Sequence, residues 1–403
     1  MQEASPAELE SHQRSRAFAL VAINVETMSD LRLFDTATGT SSVFAPGPVA
    51  RIYVCGITPY DATHLGHAAT YVTYDVLHRR LLDRGVEVRM VRNITDVDND
   101  LFERARRDDV NYLDLAFGQK RVFDADLEAL GVLEPWSEPR VTSAIPDIRG
   151  AISYFLSIGH AYDVDGWVYY RHSAVDSFGS VSGYSRVDMR TIGELRGENP
   201  SAPGKEHPLD TVLWQRSAED EPSWEAPWGS GRPGWHIECT ALAIRELGTI
   251  DLHGGGCDLV YPHHEFCAAQ LESSGVAKVG HWMHQSCVHL RGEPMSKSTG
   301  NLIFVRDLTA EYEPMVVRLA VMSQNYRSTE WTWHDGLLDE AVERLALWRN
   351  TAELDSSAGL LDDVRECLDD DLNVPAAIEL IDAGAAQGQG VQACAELLGV
   401  SLN

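Results

Sequence analysis

The hydrophobic pattern of the chain predicts a strand, a loop and a helix early in the sequence. Arg51–Gly56 is apolar and β-prone, and Ile57–Gly66 is rich in turn-forming and polar residues. Ala68–Arg84 has apolar residues at helical spacing and stops before Gly85, which suits a helix end. This order is typical of a nucleotide-binding βα unit, in which the helix N-terminus faces a phosphate.

Strands and helices are predicted to alternate on both sides of this unit. The predicted elements are a hairpin over Leu31–Phe44 with Gly39 in its turn, a strand over Val86–Thr95, helices over Leu101–Leu130 and Ile145–Ile158, and a hairpin over Asp163–Tyr170. Ser173–Pro233 is polar and rich in Gly, Pro and Ser, so an insertion of long loops without a core is expected.

The remaining pattern predicts a return to α/β structure and then helices alone. A helix over Cys239–Leu247 and a strand over Ile250–His253, broken by Gly254–Gly256, precede a helix that begins at Pro262. After Leu308 the predicted elements are helices over Met315–Ser323, Gly336–Thr351 and Leu361–Leu368, with a loop at Gly384–Gly390. We therefore expect a small C-terminal helical domain without strands.

Charge and cysteine content narrow the class of ligand. The 403 residues include 61 acidic and 33 basic ones, for a net charge of −28, which argues against a polyanion such as tRNA as the main partner. No apolar run approaches the ~20 residues that span a bilayer, and a cytoplasmic, monomeric protein with small-molecule ligands is expected. The seven cysteines lack close CxxC pairs, so reduced thiols or metal ligands are expected in place of disulfides.

Two segments can handle phosphate. His64 and His67 flank Leu65-Gly66 at the predicted helix start, where two imidazoles can hold phosphate oxygens. Pro294–Asn301 is a Ser- and Gly-containing loop whose Lys297 can contact a leaving pyrophosphate. Taken singly, the histidines can be surface or core residues and the loop can be merely polar; together and in this order they form a specific pattern.

Cys55, Cys239 and His263 offer two thiolates and an imidazole, a donor set that binds zinc and leaves a position for a substrate. Cys267 lies four residues after His263 on the same helical face, so it is either a fourth ligand or a packing residue. His264 and Glu265 are weaker candidates. Each cysteine alone can also be a small apolar core residue.

Trp235 and Asp258 are candidates for the substrate pocket. Trp235 can wall the pocket and Asp258 can hold a substrate ammonium group; the alternatives are core packing and helix capping.

These motifs resemble those of a known family. The pair HLGH and MSKS is similar to the paired motifs of class I aminoacyl-tRNA synthetases, and the cysteinyl branch is indicated by PGWHIEC, HGGGCDLVYPHHE and RNITDVD. The resemblance runs from about Leu31 to Leu380. Within that branch, CGITPYDATHLGHAATYVTYD is most similar to the cysteine ligases of mycothiol biosynthesis. Leu195–Asp210 loosely resembles their ERGGDP segment, and the chain stops without the anticodon-reading region of a full cysteinyl-tRNA synthetase.

The resemblance implies an α/β fold with a Rossmann-like nucleotide-binding domain, an inserted connective domain and a C-terminal helical bundle. The implied division is a tail over 1–30, a first catalytic half over 31–133, a connective insertion over 134–210, a second catalytic half over 211–306 and a helical domain over 307–403.

The resemblance also implies a reaction. ATP activates L-cysteine as cysteinyl-adenylate, and the amine of glucosaminyl-inositol then takes the cysteinyl group, releasing AMP. The implied cofactors are one zinc ion per chain and magnesium with ATP. The alternatives are a cysteinyl-tRNA synthetase, a relative that joins cysteine to another amine, and a non-catalytic zinc- or nucleotide-binding protein.

The implied site has three parts. His64, His67 and Lys297 are the catalytic residues, and Cys55, Cys239 and His263, with Cys267 as a candidate fourth ligand, hold zinc. The implied adenylate- and ATP-binding residues are Cys55, Gly56, Ile57, Thr58, Thr70, Asn93, Ile94, Thr95, Trp235, Gly256, Cys257, Asp258 and Val288.

Three positions depart from the family pattern. Pro294 replaces the first lysine of the KMSKS loop, Cys267 stands where cysteinyl-tRNA synthetases carry a glutamate ligand, and the ERGGDP match is partial.

Overall fold

The computed structural model describes residues 29–276, 278–295, 300–329, 331–355 and 358–403, so the expected N-terminal tail lies almost wholly outside the described residues. The strands are β1 (Arg32–Asp35), β2 (Thr40–Val43), β3 (Val49–Ile57), β4 (Glu87–Ile94), β5 (Ala161–Val164), β6 (Trp167–Tyr170), β7 (Thr211–Gln215), β8 (Arg232–Pro233), β9 (Ile250–Gly256), β10 (Val279–Gln285), β11 (His289–Leu290), β12 (Glu293–Pro294) and β13 (Thr332–Trp333). The α-helices are α1 (Leu65–Asp83), α2 (Asn99–Asp108), α3 (Tyr112–Ala129), α4 (Ile145–Ser157), α5 (Arg186–Leu195), α6 (Trp235–Leu247), α7 (Glu265–Ser274), α8 (Val305–Glu311), α9 (Pro314–Met322), α10 (Gly336–Thr351), α11 (Ala358–Asp369), α12 (Val374–Ala386) and α13 (Gln392–Leu397).

A four-stranded parallel sheet in the order β10-β9-β3-β4 forms the centre of the fold, which confirms the predicted α/β class. β3 is buried on both faces. Ile52 and Val54 belong to the core shared with α1 and the C-terminal helices, whereas Tyr53 and Cys55 belong to the core shared with α4 and α6. Because side chains alternate along a strand, Cys55 is directed to the face that α6 covers.

The strand predicted over Ile250–His253 does not end at the glycines that follow it. The predicted break at Gly254–Gly256 is wrong, because β9 continues through Gly256. The glycines serve packing instead. A Cβ on Gly254 would lie 2.1 Å from the Tyr74 hydroxyl oxygen. That hydroxyl donates to the Met283 carbonyl at 2.6 Å and accepts from the Gly255 N–H at 2.8 Å, so it links α1 to β9 and β10.

Gly254→Ala should therefore destabilise the protein by about 1–3 kcal/mol, since the added methyl displaces the Tyr74 hydroxyl from its hydrogen bonds. Gly150→Ala is the matched control: Gly150 is exposed on α4, a Cβ at this position would have no atom within 4 Å among the described residues, and a small gain in stability is expected. Urea unfolding measures both, and equal midpoints for Gly254→Ala and wild type would contradict the packing role.

Several other predictions are corrected by the structure. The helix over Leu101–Leu130 is two helices, because Asp109 has a left-handed backbone with φ of 52° and Asn111 caps α3. Ser173–Pro233 is not only loops: it supplies α5, β7 and β8. β7 and β8 join β5 and β6 in an antiparallel sheet around the fully buried Trp214.

The later part of the chain combines confirmed and wrong predictions. α10 has the predicted bounds, and helices occur at the two other predicted positions. The helix expected from Pro262 begins at Glu265 instead, and the strandless C-terminal region contains β13, which pairs with β11. The loop expected at Gly384–Gly390 begins only after Ala386, where α12 ends. The division into domains stays a prediction.

Two of the seven cysteines form a disulfide, which corrects the expectation of reduced thiols and metal ligands. Cys257 follows β9 and Cys287 follows β10, and their Cα atoms are 5.6 Å apart. In the part of the chain that the structure describes, no helix is both long and apolar enough to cross a membrane.

Candidate functional site

The three predicted metal ligands lie close together near the carboxyl end of β3. Cys55 lies two residues before the end of that strand, Cys239 lies on α6, and His263 lies in the turn before α7. Their ligand atoms all lie within 4.8 Å of one another, and all three residues are buried. The Sγ atoms of Cys55 and Cys239 are 3.8 Å apart.

The thiols and the imidazole of this cluster shift one another's pKa values. The hydrogen bond from Cys55 lowers the pKa of the Cys239 thiol, so a thiolate forms here, while burial raises the pKa of Cys55. Burial lowers the pKa of His263, but the charges of Cys267 and Cys239 outweigh it and raise that pKa to about 10. A thiolate beside a protonated imidazole is a donor set that can exchange the imidazole proton for a metal ion.

The donor atoms fit zinc. Two sulfurs at about 2.3 Å from a tetrahedral zinc are about 3.8 Å apart, which is the separation of Cys55 and Cys239. His263 Nε2 is buried without a hydrogen-bond partner among the described residues, as a nitrogen reserved for a metal would be. An oxygen-preferring ion such as magnesium does not suit two thiolates and an imidazole.

The remaining ligand candidates have other contacts. Cys267 is fully buried and its thiol donates to the His236 carbonyl oxygen at 3.6 Å. Its role as a fourth ligand stays a prediction. The Glu265 carboxylate accepts from the backbone N–H groups of Gly179 and Ser182 at 2.6 and 2.8 Å, so it anchors the segment between β6 and α5.

His264, a weaker ligand candidate, lies beside the cluster together with His253 and His284, which the sequence did not predict as site residues. Cys55 Sγ lies 3.2 Å from His264 Nε2 and 3.6 Å from His253 Nε2, and these three form a second group with metal-ligand spacing. His264 Nδ1 is 2.7 Å from His284 Nε2. Burial lowers the pKa of His264 and lowers that of His284 to about 3, so both rings are neutral. Of these histidines, only His264 could be found from the sequence, because it is adjacent to the predicted ligand His263.

The predicted phosphate-handling histidines lie together at the start of α1. The rings of His64 and His67 stack with centroids 3.7 Å apart. A Cβ on Gly66 would come within 3.0 Å of the His64 ring, so the glycine permits this approach.

The chain that follows the MSKS motif docks against the same helix start. The Leu65 N–H donates to the Ile303 carbonyl at 2.9 Å, and the Val305 N–H donates to the Thr63 carbonyl at 2.9 Å. Lys297 itself lies outside the described residues, so its predicted contact stays a prediction.

Predicted lining residues from the first two strands lie beside the thiols. Asn93 Oδ1 accepts from the Gly56 N–H at 2.9 Å and lies 3.7 Å from Cys239 Sγ, and Asn93 Nδ2 donates to Thr95 Oγ1 at 3.0 Å. Ile57 and Ile94 are buried in the core. Thr58 is half-buried in the turn that follows β3.

The other lining residues fall into three places. Trp235 stacks on His263 with ring centroids 4.2 Å apart, so it forms a wall of the metal cluster. A Cβ on Gly256 would lie 2.6 Å from Asp258 Oδ1 and 3.8 Å from Thr70 Oγ1, which places these residues together at the end of β9. Cys257 is in the disulfide, and the Val288 carbonyl accepts from the Met295 N–H at 2.8 Å.

The amino-acid sequence is similar to a known protein family and to several named proteins. Residues 43–343 match the tRNA synthetases class I (C) catalytic domain family. A protein of Gordonia bronchialis named L-cysteine:1D-myo-inositol 2-amino-2-deoxy-alpha-D-glucopyranoside ligase is 46% identical over 367 residues, covering 88% of this chain and 89% of that protein. A protein of Mycobacterium ulcerans with the same name is 47% identical over 366 residues, with 88% and 89% covered.

Solved structures show the same fold at low identity. Mycobacterium tuberculosis methionyl-tRNA synthetase in complex with methionyl-adenylate has a TM-score of 0.61 at 17% identity, covering 88% of each chain.

Proposed function

The chain belongs to the tRNA synthetases class I (C) catalytic domain family, and from this membership we propose that it is an ATP-dependent cysteine ligase. It joins L-cysteine to the amine of glucosaminyl-inositol, the reaction that the names of its relatives describe, with release of AMP and pyrophosphate. The observation that carries the proposal is the meeting of Cys55, Cys239 and His263 at the end of β3, directly before the helix that begins at the HLGH motif.

In the first step, a cysteine carboxylate oxygen attacks the α-phosphorus of ATP and the bond to the β-phosphate oxygen breaks. Charge develops on the phosphate oxygens. His64 and His67 stabilise that charge from the N-terminus of α1, where the helix dipole adds partial positive charge. Lys297 is proposed to contact the leaving pyrophosphate, whose charge a magnesium ion bound with ATP would help to neutralise.

We assign the selection of cysteine over serine to the cluster of Cys55, Cys239 and His263. Cys55, Cys239 and His263 would hold zinc, which when bound supplies a Lewis acid with an open position that prefers a thiolate to the hydroxyl of serine. Trp235 closes one side of the cluster by stacking on His263 and excludes water there. Asn93, on β4, accepts from the Gly56 N–H and packs against Cys239 Sγ.

The adenylate is proposed to lie across the carboxyl ends of the parallel strands, where open α/β sheets bind ligands. The proposed lining residues are Gly56, Ile57, Thr58, Thr70, Asn93, Ile94, Thr95, Gly256, Cys257, Asp258 and Val288. Asp258 is exposed at the end of β9, so its carboxylate is available for the substrate ammonium group.

In the second step, the neutral amine of the sugar attacks the activated carbonyl carbon, the bond to the phosphate oxygen breaks, and AMP leaves. The segment Leu195–Asp210 supports a role near this acceptor, because the Arg196 guanidinium donates to the backbone carbonyls of Asp258 and Tyr261. A net charge of −28 disfavours the polyanion tRNA and therefore favours a small-molecule acceptor such as glucosaminyl-inositol.

The proposal predicts amide formation from ATP, L-cysteine and glucosaminyl-inositol, with one AMP and one pyrophosphate per amide. Mass spectrometry of the product measures this, and serine in place of cysteine is the control for thiol selection. Cysteine-dependent pyrophosphate exchange without any amide would contradict the acceptor and leave the adenylation step in place.

A further inference from the structure

A carboxylate from the inserted segment reaches the metal cluster through a histidine. Glu198, three residues after the end of α5, accepts from His236 Nε2 at 3.0 Å. His236 Nδ1 in turn lies 2.9 Å from His263 Nδ1. The result is a continuous path from Glu198 through His236 to His263.

Proton counting along this path gives each ring one tautomer. For His263 to offer Nε2 to a metal as a lone pair, its proton must be on Nδ1. That proton then points at His236 Nδ1, which must accept it. His236 is left with a proton on Nε2 alone, and Glu198 is the acceptor placed to receive it.

The surroundings hold this path in place. Glu198 Oε1 also accepts from the Thr211 hydroxyl at 2.7 Å, and Lys205 Nζ lies 3.5 Å from Oε2. The side chains of Lys205 and His236 are 1% and 3% exposed, respectively. Burial would raise the pKa of Glu198, but the hydrogen bond from His236 and the charge of Lys205 lower it, so the carboxylate is ionised.

We propose that Glu198 is a positioning residue that, through His236, fixes the His263 ring with its Nε2 lone pair directed at Cys55 and Cys239. This inference rests on the zinc site of the proposed function. It assigns to the inserted segment a role in metal affinity, since outer partners of a ligating histidine fix its tautomer and raise its basicity.

Zinc affinity of the full-length enzyme, measured by competition with a chelator, tests the proposal. Glu198→Leu removes the acceptor and should weaken zinc binding about 10–100-fold. Glu198→Gln keeps an oxygen for His236 and should stay within about threefold of wild type. Glu206→Gln is the matched control, because Glu206 lies in the same segment but pairs with Arg171 at the surface.

A spectroscopic measurement separates positioning from support of the fold. The visible spectrum of the cobalt-substituted enzyme reports the ligand field, and it should change in Glu198→Leu but not in Glu198→Gln. His236→Gln interrupts the path at its middle and should reproduce the Glu198→Leu effects, with no further loss in the double variant. This second variant decides the matter should Glu198→Leu not fold.

Two outcomes would overturn the proposal. If the Glu198→Leu enzyme has a lower melting temperature but keeps the zinc affinity and the cobalt spectrum of the wild type, Glu198 is a purely structural residue. A wild-type enzyme that binds no zinc would remove both this path and the metal of the proposed function. Normal zinc results with failed amide formation would instead reject only the proposed acceptor.

Discussion

Cys55→Ala should abolish zinc binding and cysteine selection together. Cys55 is shared by the two groups of metal-ligand candidates at the end of β3, and its Sγ lies 3.8 Å from that of Cys239. Loss of outer partners alone costs about 10–100-fold in metal affinity, so loss of a thiolate ligand should cost more than about 100-fold. Zinc content by atomic emission and cysteine-dependent pyrophosphate exchange measure the two effects.

Cys394→Ala provides the control, because Cys394 is also a buried free cysteine but lies on α13. It should keep zinc and exchange activity. A zinc-free Cys55→Ala enzyme that still prefers cysteine over serine would contradict the assigned role of the cluster.

His64→Ala and His67→Ala should each lower the rate of adenylation about 10²–10³-fold while leaving zinc content unchanged. The two rings stack at 3.7 Å at the N-terminus of α1, so each contributes to one charge-stabilising surface. The effect should appear in kcat of pyrophosphate exchange more than in KM, because the developing charge belongs to the transition state.

His78→Ala is the matched control on the same helix, since His78 lies about four turns beyond His64. It should leave kcat of exchange near the wild-type value. A loss of zinc in His64→Ala, or unchanged kcat in both active-site variants, would contradict the separation of activation from thiol selection.

The unit at the start of the chain could be predicted because its signals are local. The apolar spacing of α1 and the positive φ of 76° at Gly85 depend on a few neighbouring residues. The same holds for α10. The broken helix at Asp109 was missed because apolar spacing continues across the break, and nothing local excludes a left-handed residue there.

Features that depend on packing between distant segments could not be predicted. β9 continues through Gly254 because Tyr74, on α1, fills the space a side chain would take. His253 approaches Cys55 because Tyr53 pairs with His253 in the parallel register of β3 and β9. No spacing along the chain encodes that register.

The candidate site shows the same division. HLGH and MSKS could be found as motifs, and so could the ligand types Cys, Cys and His. The path from Glu198 to His263 could not, because it joins the segment after α5 to the turn before α7 through His236 on α6, and only the folded chain brings them together.

The strand–loop–helix unit of β3 and α1 contributes residues to both thiol selection and phosphate activation, the two proposed chemical tasks. Cys55, at the strand end, belongs to the proposed thiol-selecting cluster, and His64 and His67, at the helix start, belong to the proposed phosphate-activating surface. With these proposed roles, a single βα unit would hold the substrate thiol and the reacting phosphate at neighbouring positions.

The most direct test of the account is the choice of acceptor by preformed cysteinyl-adenylate. The enzyme is loaded with ATP and L-cysteine, freed of excess ATP, and offered either glucosaminyl-inositol or tRNA at low salt. The account predicts rapid transfer of cysteine to the sugar amine and none to tRNA. Transfer to tRNA with the sugar left unreacted would contradict it.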